Sequence, residues 1–279
     1  MKKIILSFLI AFISITGCSK EPMPEQPSVS KEQIPAYTDT AYVAIDNNVP
    51  HFENKTSIDP YLCLSELDSL GRTQFAEACL SIEMFPTEKR PDISSIHPSG
   101  WQSVRNESLP EGYLYNRCHL IAYSLCGSND PQNLMTGTRY FNVEAMLPFE
   151  DMVRDYINET ENHVLYRVTP LYEGDNLVAD GVFMEAYSME DHGEGISYNV
   201  FCYNVQPSVT IDYATGQASF LNEKKDGKKK YVLNTNTHKI HNPSCKGIKN
   251  MKSKNKKEVS ATIQELEKQG YSKCGICLN

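Results

Sequence analysis

No internal hydrophobic run of this 279-residue chain approaches the roughly 18 apolar residues that a membrane-spanning helix needs, so no span is expected in the folded part. The chain also lacks a glycine-rich loop between a strand and a helix, which argues against a parallel nucleotide-binding α/β sheet. Its cysteines do not form a complete pairing set either. Cys63, Cys79, Cys118, Cys126 and Cys202 lie between residues 38 and 221, an odd number. Most are expected as small buried hydrophobic side chains, with room for one unassigned bridge. What is present is ordinary for a folded soluble protein: 40% hydrophobic and 22% charged residues, enough for one sizeable core plus a small second unit.

The one long apolar run is at the N-terminus, in MKKIILSFLIAFISITGCSK. Lys2 and Lys3 precede an apolar stretch from Ile4 to Ile15, and small residues lead to Cys18. Residues 1–17 therefore read as an export signal rather than a structural helix. Ile15-Thr16-Gly17-Cys18 resembles a bacterial lipobox. That resemblance implies cleavage before Cys18, a diacylglycerol on its thiol, and a protein anchored to the bacterial membrane outside the cytoplasm. Residues 18–37, rich in Pro, Ser, Glu and Lys, have too little apolar surface to fold and read as a disordered tether.

Charge divides the rest. Residues 222–279 hold 14 lysines against five acidic residues, a net of +9; the whole chain carries -8, so residues 1–221 carry -17. With the charged, glycine-containing stretch 222–229 as a linker, two folded units are expected, over 38–221 and 230–279. In the larger one, YLYNRCHLIAYSL and three segments between residues 163 and 216 are strand-like, and residues 138–160 are helical, with Phe141, Ala145, Phe149, Val153 and Ile157 near a spacing of four. Pro148 is expected to kink that helix or start a new one. The segment between the first strand and the helix reads as a polar loop. The pattern predicts an α+β fold with a largely antiparallel sheet.

The strand ends in Arg117-x-His119, and the following polar segment ends at Asn142. These residue types suit phosphodiester hydrolysis. A neutral imidazole can take a proton from water. An amide carbonyl is a hard oxygen donor fit for Mg²⁺, whose charge can neutralise the phosphate and leaving oxygens. A guanidinium can balance charge growing on phosphorus. Glu150, eight residues after Asn142, comes back within about 80° on an ideal helix and could orient a water, although Pro148 weakens that geometry. YNRCHLIAYSL, NLMTGTRYFN and MLPFEDMV resemble the DNA/RNA non-specific endonuclease family, the ββα-metal or His-Me finger nucleases that include streptococcal secreted DNases. The resemblance spans about residues 38–220. It implies a ββα-metal core and Mg²⁺-dependent cleavage of DNA, with RNA as a further substrate. It also implies His119 as general base, Asn142 as the Mg²⁺ ligand, Arg117 beside the phosphate, Glu150 as an accessory acid, and Arg90 as a phosphate contact; Arg139 joins them as a candidate substrate contact through its charge alone. Asn116 departs from the aspartate of the better-known motif, which puts that aspartate's role in doubt here. A unit at -17 should repel nucleic acid, so Arg90, Arg117, Arg139 and the metal must offset it locally, or the basic tail must recruit substrate.

In the tail, His241-x3-Cys245 and Cys274-x2-Cys277 have the spacing of a tetrahedral Zn²⁺ site. His241 is preferred to His238 as fourth ligand for its tighter spacing to Cys245. The segment resembles small Ada-like metal-binding domains. A Cys274–Cys277 disulfide with Cys245 free is the alternative. Thr262-x-x-Glu265 reads as a capping box opening a helix that Gly270 stops. The rival to an enzyme is a non-catalytic lipoprotein that binds nucleic acid or envelope components through this tail.

Overall fold

The computed structural model describes residues 31, 34–53, 56–221, 228–249 and 251–278. The export signal, Cys18, most of the tether and most of the linker lie outside the described residues. The chain separates into two compact units, Met1–Ser219 and Phe220–Asn279. Among the described residues, no helix is long and apolar enough to cross a membrane.

In chain order the first unit contains β1 Tyr42–Ala44, β2 Tyr61–Leu64, β3 Ala76–Leu80, β4 Tyr115–His119, α1 Tyr123–Cys126, β5 Leu134–Thr138, α2 Leu147–Thr160, β6 Val164–Leu171, β7 Gly181–Ser188, β8 Ser197–Tyr203, β9 Val209–Asp212 and β10 Gln217–Phe220. Six of these strands form one antiparallel sheet in the order β1-β8-β7-β6-β3-β2. Side chains alternate across it with period two. Val164, Tyr166 and Val168 of β6 join the main core on one face, while Leu165 packs with Cys79 and Met189 on the other. Both faces are covered, so the central strands are apolar almost throughout. Cys79, Cys118 and Cys202 are buried free thiols, as small hydrophobic side chains should be.

The helical stretch packs its four-residue repeat onto the sheet: Phe141, Ala145, Phe149, Val153 and Ile157 are all in the main core. It is not one regular helix. Phe141–Met146 is a wide turn of π type, in which Leu147 N–H donates to Asn142 O, and α2 begins at Leu147 with Pro148 in its first turn. Proline has no N–H to give and its ring crowds the carbonyl four residues back, so an ordinary α register is blocked there.

The segment after β4 is more than a polar loop, because it contains β5. Its five residues are all buried and pair with β4. Threonine tolerates this burial because its hydroxyl finds a carbonyl: Thr136 donates to Ser99 O at 2.8 Å and Thr138 to Val205 O.

The second unit contains β11 Lys229–Asn234, β12 Lys239–His241, β13 Lys256–Ala261, α3 Ile263–Lys268 and β14 Ser272–Lys273. Its sheet order is β13-β11-β12-β14, antiparallel except for the β12–β14 pair. Tyr231, Leu233, Ile240, Ala261 and Leu266 form its small core. α3 opens on the capping box: Glu265 N–H donates to Thr262 Oγ1 at 3.1 Å, and Thr262 N–H to the Glu265 carboxylate at 2.9 Å. Gly270, at φ +85, turns the chain out of the helix.

Candidate active site

β4 and β5 form a hairpin in which Arg117 lies opposite Thr136 and His119 opposite Leu134. Gly137 lets the helical segment close onto it. A Cβ there would stand 2.5 Å from Cys118 Sγ and 2.6 Å from Phe141 Cδ1, closer than real Cβ atoms approach. Cys118 and Phe141 are thus packed together, and the next residue on each element is His119 and Asn142.

His119 is only 7% exposed. Its Nε2 lies 2.8 Å from Asn129 Oδ1, and its ring meets Tyr123 edge-on. An amide oxygen only accepts, so Nε2 carries the proton and Nδ1 is the basic nitrogen. Burial pushes the imidazole pKa down to about 4; the Asn129 bond raises it and the Arg90 charge lowers it. The ring is neutral at neutral pH. The turn that carries Asn129 is fixed at the preceding residue by Asn133, which is wholly buried. The Asn133 amide donates to Ile121 O at 2.9 Å and Ser128 O at 3.1 Å and accepts from Ile121 N–H at 3.0 Å. Sequence reasoning passed over Asn129. The available signal was two amides four apart in the turn after the histidine strand.

Asn142 is half-buried, and its carboxamide has no hydrogen-bond partner among the described residues. It caps no helix: the N-cap position is Tyr140, with no side-chain bond. Its carbonyl oxygen is therefore available to a hard cation. Glu150, in the first turn of α2, is half-buried and does not lie on a solvated face. Its charge is felt at Cys118, Tyr166, Tyr198 and Cys202, all in the interior. Burial pushes its carboxyl up to about 8; Asp151 adds to the rise and Arg154 opposes it.

The three arginines are placed differently from one another. Arg117 donates to the carbonyls of Ser94, at 2.6 Å, and Ile96, and its guanidinium lies 4.0 Å over the Trp101 ring. Its fork is therefore committed to residues 94–101. Arg139 donates to the Glu111 carboxylate at 2.6 Å in a surface pair. Arg90 is exposed and makes no hydrogen bond among the described residues, yet its charge reaches both His119 and Cys118.

In the second unit, His241, Cys245, Cys274 and Cys277 converge, each offering a ligand atom within 4.8 Å of the others. His241 Nδ1 is 3.4 Å from Cys245 Sγ, and Asn242 N–H donates to Cys277 Sγ at 3.4 Å. Ligands at Zn–S distances of about 2.3 Å around a tetrahedron lie roughly 3.8 Å apart, so the cluster has the dimensions and donor set of a closed zinc site.

A strand hairpin carrying His119, followed by a helical segment carrying Asn142, places the first unit in the ββα-metal class of nucleases. Residues 53–190 match the family described as DNA/RNA non-specific endonuclease, and this part of the chain belongs to it. The chain is similar to NucA from Streptococcus agalactiae with magnesium ion bound: 28% identity over 63% of this chain and 87% of that one, TM-score 0.57. NucA with no metal bound gives a TM-score of 0.55. The Sda1 nuclease with bound zinc ion is 26% identical over 64% of this chain and 96% of that one, TM-score 0.55. The chain therefore carries an endonuclease domain.

Proposed function

We propose that this protein is a metal-dependent endonuclease that hydrolyses phosphodiester bonds of DNA and RNA, with His119 as general base and Mg²⁺ held by Asn142. The observation that carries this reading is the Nδ1 of a neutral His119, which has no partner among the described residues, with its other nitrogen tied to Asn129. Nδ1 accepts a proton as water attacks phosphorus; the P–O3′ bond breaks with its electron pair on O3′, which takes a proton from solvent, and the imidazolium then returns its proton to solvent, leaving a 5′-phosphate and a 3′-hydroxyl. When bound, Mg²⁺ supplies charge neutralisation at the non-bridging and leaving oxygens. Asn142 is the residue that would hold it, through a carbonyl with no competing partner among the described residues. Glu150 positions water on the inner side of α2. Arg90, which makes no hydrogen bond or ion pair among the described residues and whose charge reaches His119, faces the phosphate together with Arg139, whose ion pair is exposed and exchangeable. Arg117 has its donors bound to carbonyls and serves by fixing the 94–101 segment. His241, Cys245, Cys274 and Cys277 hold a structural Zn²⁺. Export and a lipid on Cys18, read from the leader, would place the enzyme at the outer side of the bacterial membrane.

The test is digestion of plasmid DNA and of structured RNA by the purified chain, with Mg²⁺ and with EDTA. Cleavage is expected only with the metal, giving 5′-phosphate ends. Cutting in EDTA would remove the metal from the mechanism, and 3′-phosphate ends would rule out departure of O3′. No cutting with any divalent ion would favour a binding protein.

Asn129 gives a second, sharper test. Asn129→Ala frees the imidazole to change tautomer, and kcat is expected to fall by about 10–100-fold with little change in KM. Asn129→Asp keeps the acceptor and adds negative charge. It should recover part of kcat and shift the acid limb of the kcat–pH profile upward. Equal losses in both variants, without a shift, would mean that Asn129 only supports the loop.

A further inference from the structure

We infer that one face of the second unit's sheet is a nucleic-acid-backbone-binding surface, which holds long substrate for the nuclease unit. The inference rests on the nuclease reading of the first unit and adds a surface that the catalytic constellation does not use.

All twelve lysines among the described residues of this unit are exposed: Lys228, Lys229, Lys230, Lys239, Lys246, Lys249, Lys252, Lys254, Lys256, Lys257, Lys268 and Lys273. Only Glu258, Glu265 and Glu267 oppose them among those residues. The pairing register sorts them by face. Asn234 lies opposite Lys256 on one side and Lys239 on the other, so Lys256, Asn234 and Lys239 form a row across three strands. Lys230, paired with Ser260, is on the same face four residues along β11. The core residues Tyr231, Leu233 and Ile240 occupy the opposite face.

This face has the chemistry of phosphate contact. From Lys230 to the Lys256–Lys239 row is about 13 Å along the strands. One DNA strand carries about four phosphates over that rise. Asn234 has its Oδ1 engaged by the N–H groups of Asn236 and Thr237, which leaves its NH₂ as a donor. The exposed Ser260 adds a hydroxyl. A groove of about 300 Å³ runs beside them at the β11–β13 edge, lined by Lys230, Tyr231, Val232, Pro243, Glu258, Val259 and Ser260. Among the described residues Glu258 is the one acid that the register puts on this face, and it lies 3.7 Å from Lys256.

The composition also says what kind of binding this is. Residues 222–279 contain no arginine, so no planar fork is present to read a guanine edge, and lysine acts as a point charge. The expected binding is independent of sequence and sensitive to salt. Val232 and the zinc ligand His241 share this face between Lys230 and the Lys256–Lys239 row, and both are buried, so its exposed side chains by register are the lysines, Glu258 and Ser260. A phosphate polymer therefore fits it better than a lipid surface does. The two units share one chain, so a strand held by one is presented to the other at raised local concentration. This offsets the repulsion expected from residues 1–221, at -17.

The experiment compares the full chain with two triple variants of equal charge loss. One is Lys230→Gln/Lys239→Gln/Lys256→Gln, on the face. The other is Lys257→Gln/Lys268→Gln/Lys273→Gln, away from it. Zinc content and cleavage of a short oligonucleotide that fills only the active site are measured for each, with KM for kilobase DNA against salt. The face variant is expected to keep zinc and short-substrate cleavage while KM for long DNA rises about tenfold. Its log KM–log salt slope should fall by about three. The off-face variant should shift KM by less than about threefold. Equal shifts in both variants would reduce the effect to net charge and overturn the assigned face. An unchanged KM in the face variant, with loss of binding to phosphatidylglycerol vesicles instead, would assign the face to a membrane and overturn the inference. If the wild-type chain cuts neither substrate, the nuclease reading itself has failed.

Discussion

His119→Ala is expected to lower kcat for DNA cleavage by about 10²–10⁴-fold, with KM nearly unchanged. That is the usual contribution of a positioned general base. The pH behaviour separates this role from a structural one. Burial holds the folded imidazole at about 4, against about 6.5 in an unfolded chain. The base is therefore in its working form down to roughly pH 4, and the wild-type acid limb should lie near there rather than near 6.5. The same shift makes a stability statement. A depressed pKa contributes stability that is fully present above about 6.5 and is lost as pH falls through 6.5 towards 4, by roughly 3 kcal/mol. Denaturant unfolding of wild type should show this loss on acidification, and His119→Ala should show less of it. A variant that cuts DNA at the wild-type rate would exclude His119 as the base.

The second large effect is in the other unit. Cys274→Ser should abolish zinc binding and unfold residues 228–278. The core there is Tyr231, Leu233, Ile240, Ala261 and Leu266, little apolar surface for so many ordered residues. Apparent binding energies of structural zinc in small domains are about 10–16 kcal/mol, more than such a core could replace. One zinc per chain in the wild type, and rapid proteolysis of this segment in the variant, are the expected readouts. Short-substrate cleavage should stay within about twofold, because the first unit has its own core. A Cys274–Cys277 disulfide found by mass spectrometry in zinc-free protein would replace the metal with the bridge.

How much of this was legible in the sequence depends on what fixes each part. The apolar repeat from Phe141 to Ile157 and the capping box at Thr262 are local patterns, and both fold as their spacing dictates. In the sequence β5 has the look of a loop, because Thr136, Gly137 and Thr138 are polar or flexible residue types. Their burial depends on acceptors at Ser99 and Val205, far away in sequence. Gly137 is explained by close approach to Cys118 and Phe141, which only the folded chain reveals. The resemblance puts Arg117 beside the phosphate. Its donors go to Ser94 and Ile96, partners that no spacing rule identifies. Asn129 was missed because its role exists only through the His119 ring.

The wide turn at Phe141–Met146 has a consequence for how this enzyme can tolerate change. A regular helix would lock the bearing of Asn142 to the stripe of side chains that α2 buries, at about 100° per residue. The extra residue in the turn uncouples the two, so packing on the sheet and aim of the amide can be adjusted separately. Removing one residue there would restore ordinary winding and swing Asn142 off its bearing while leaving Val153 and Ile157 seated as before.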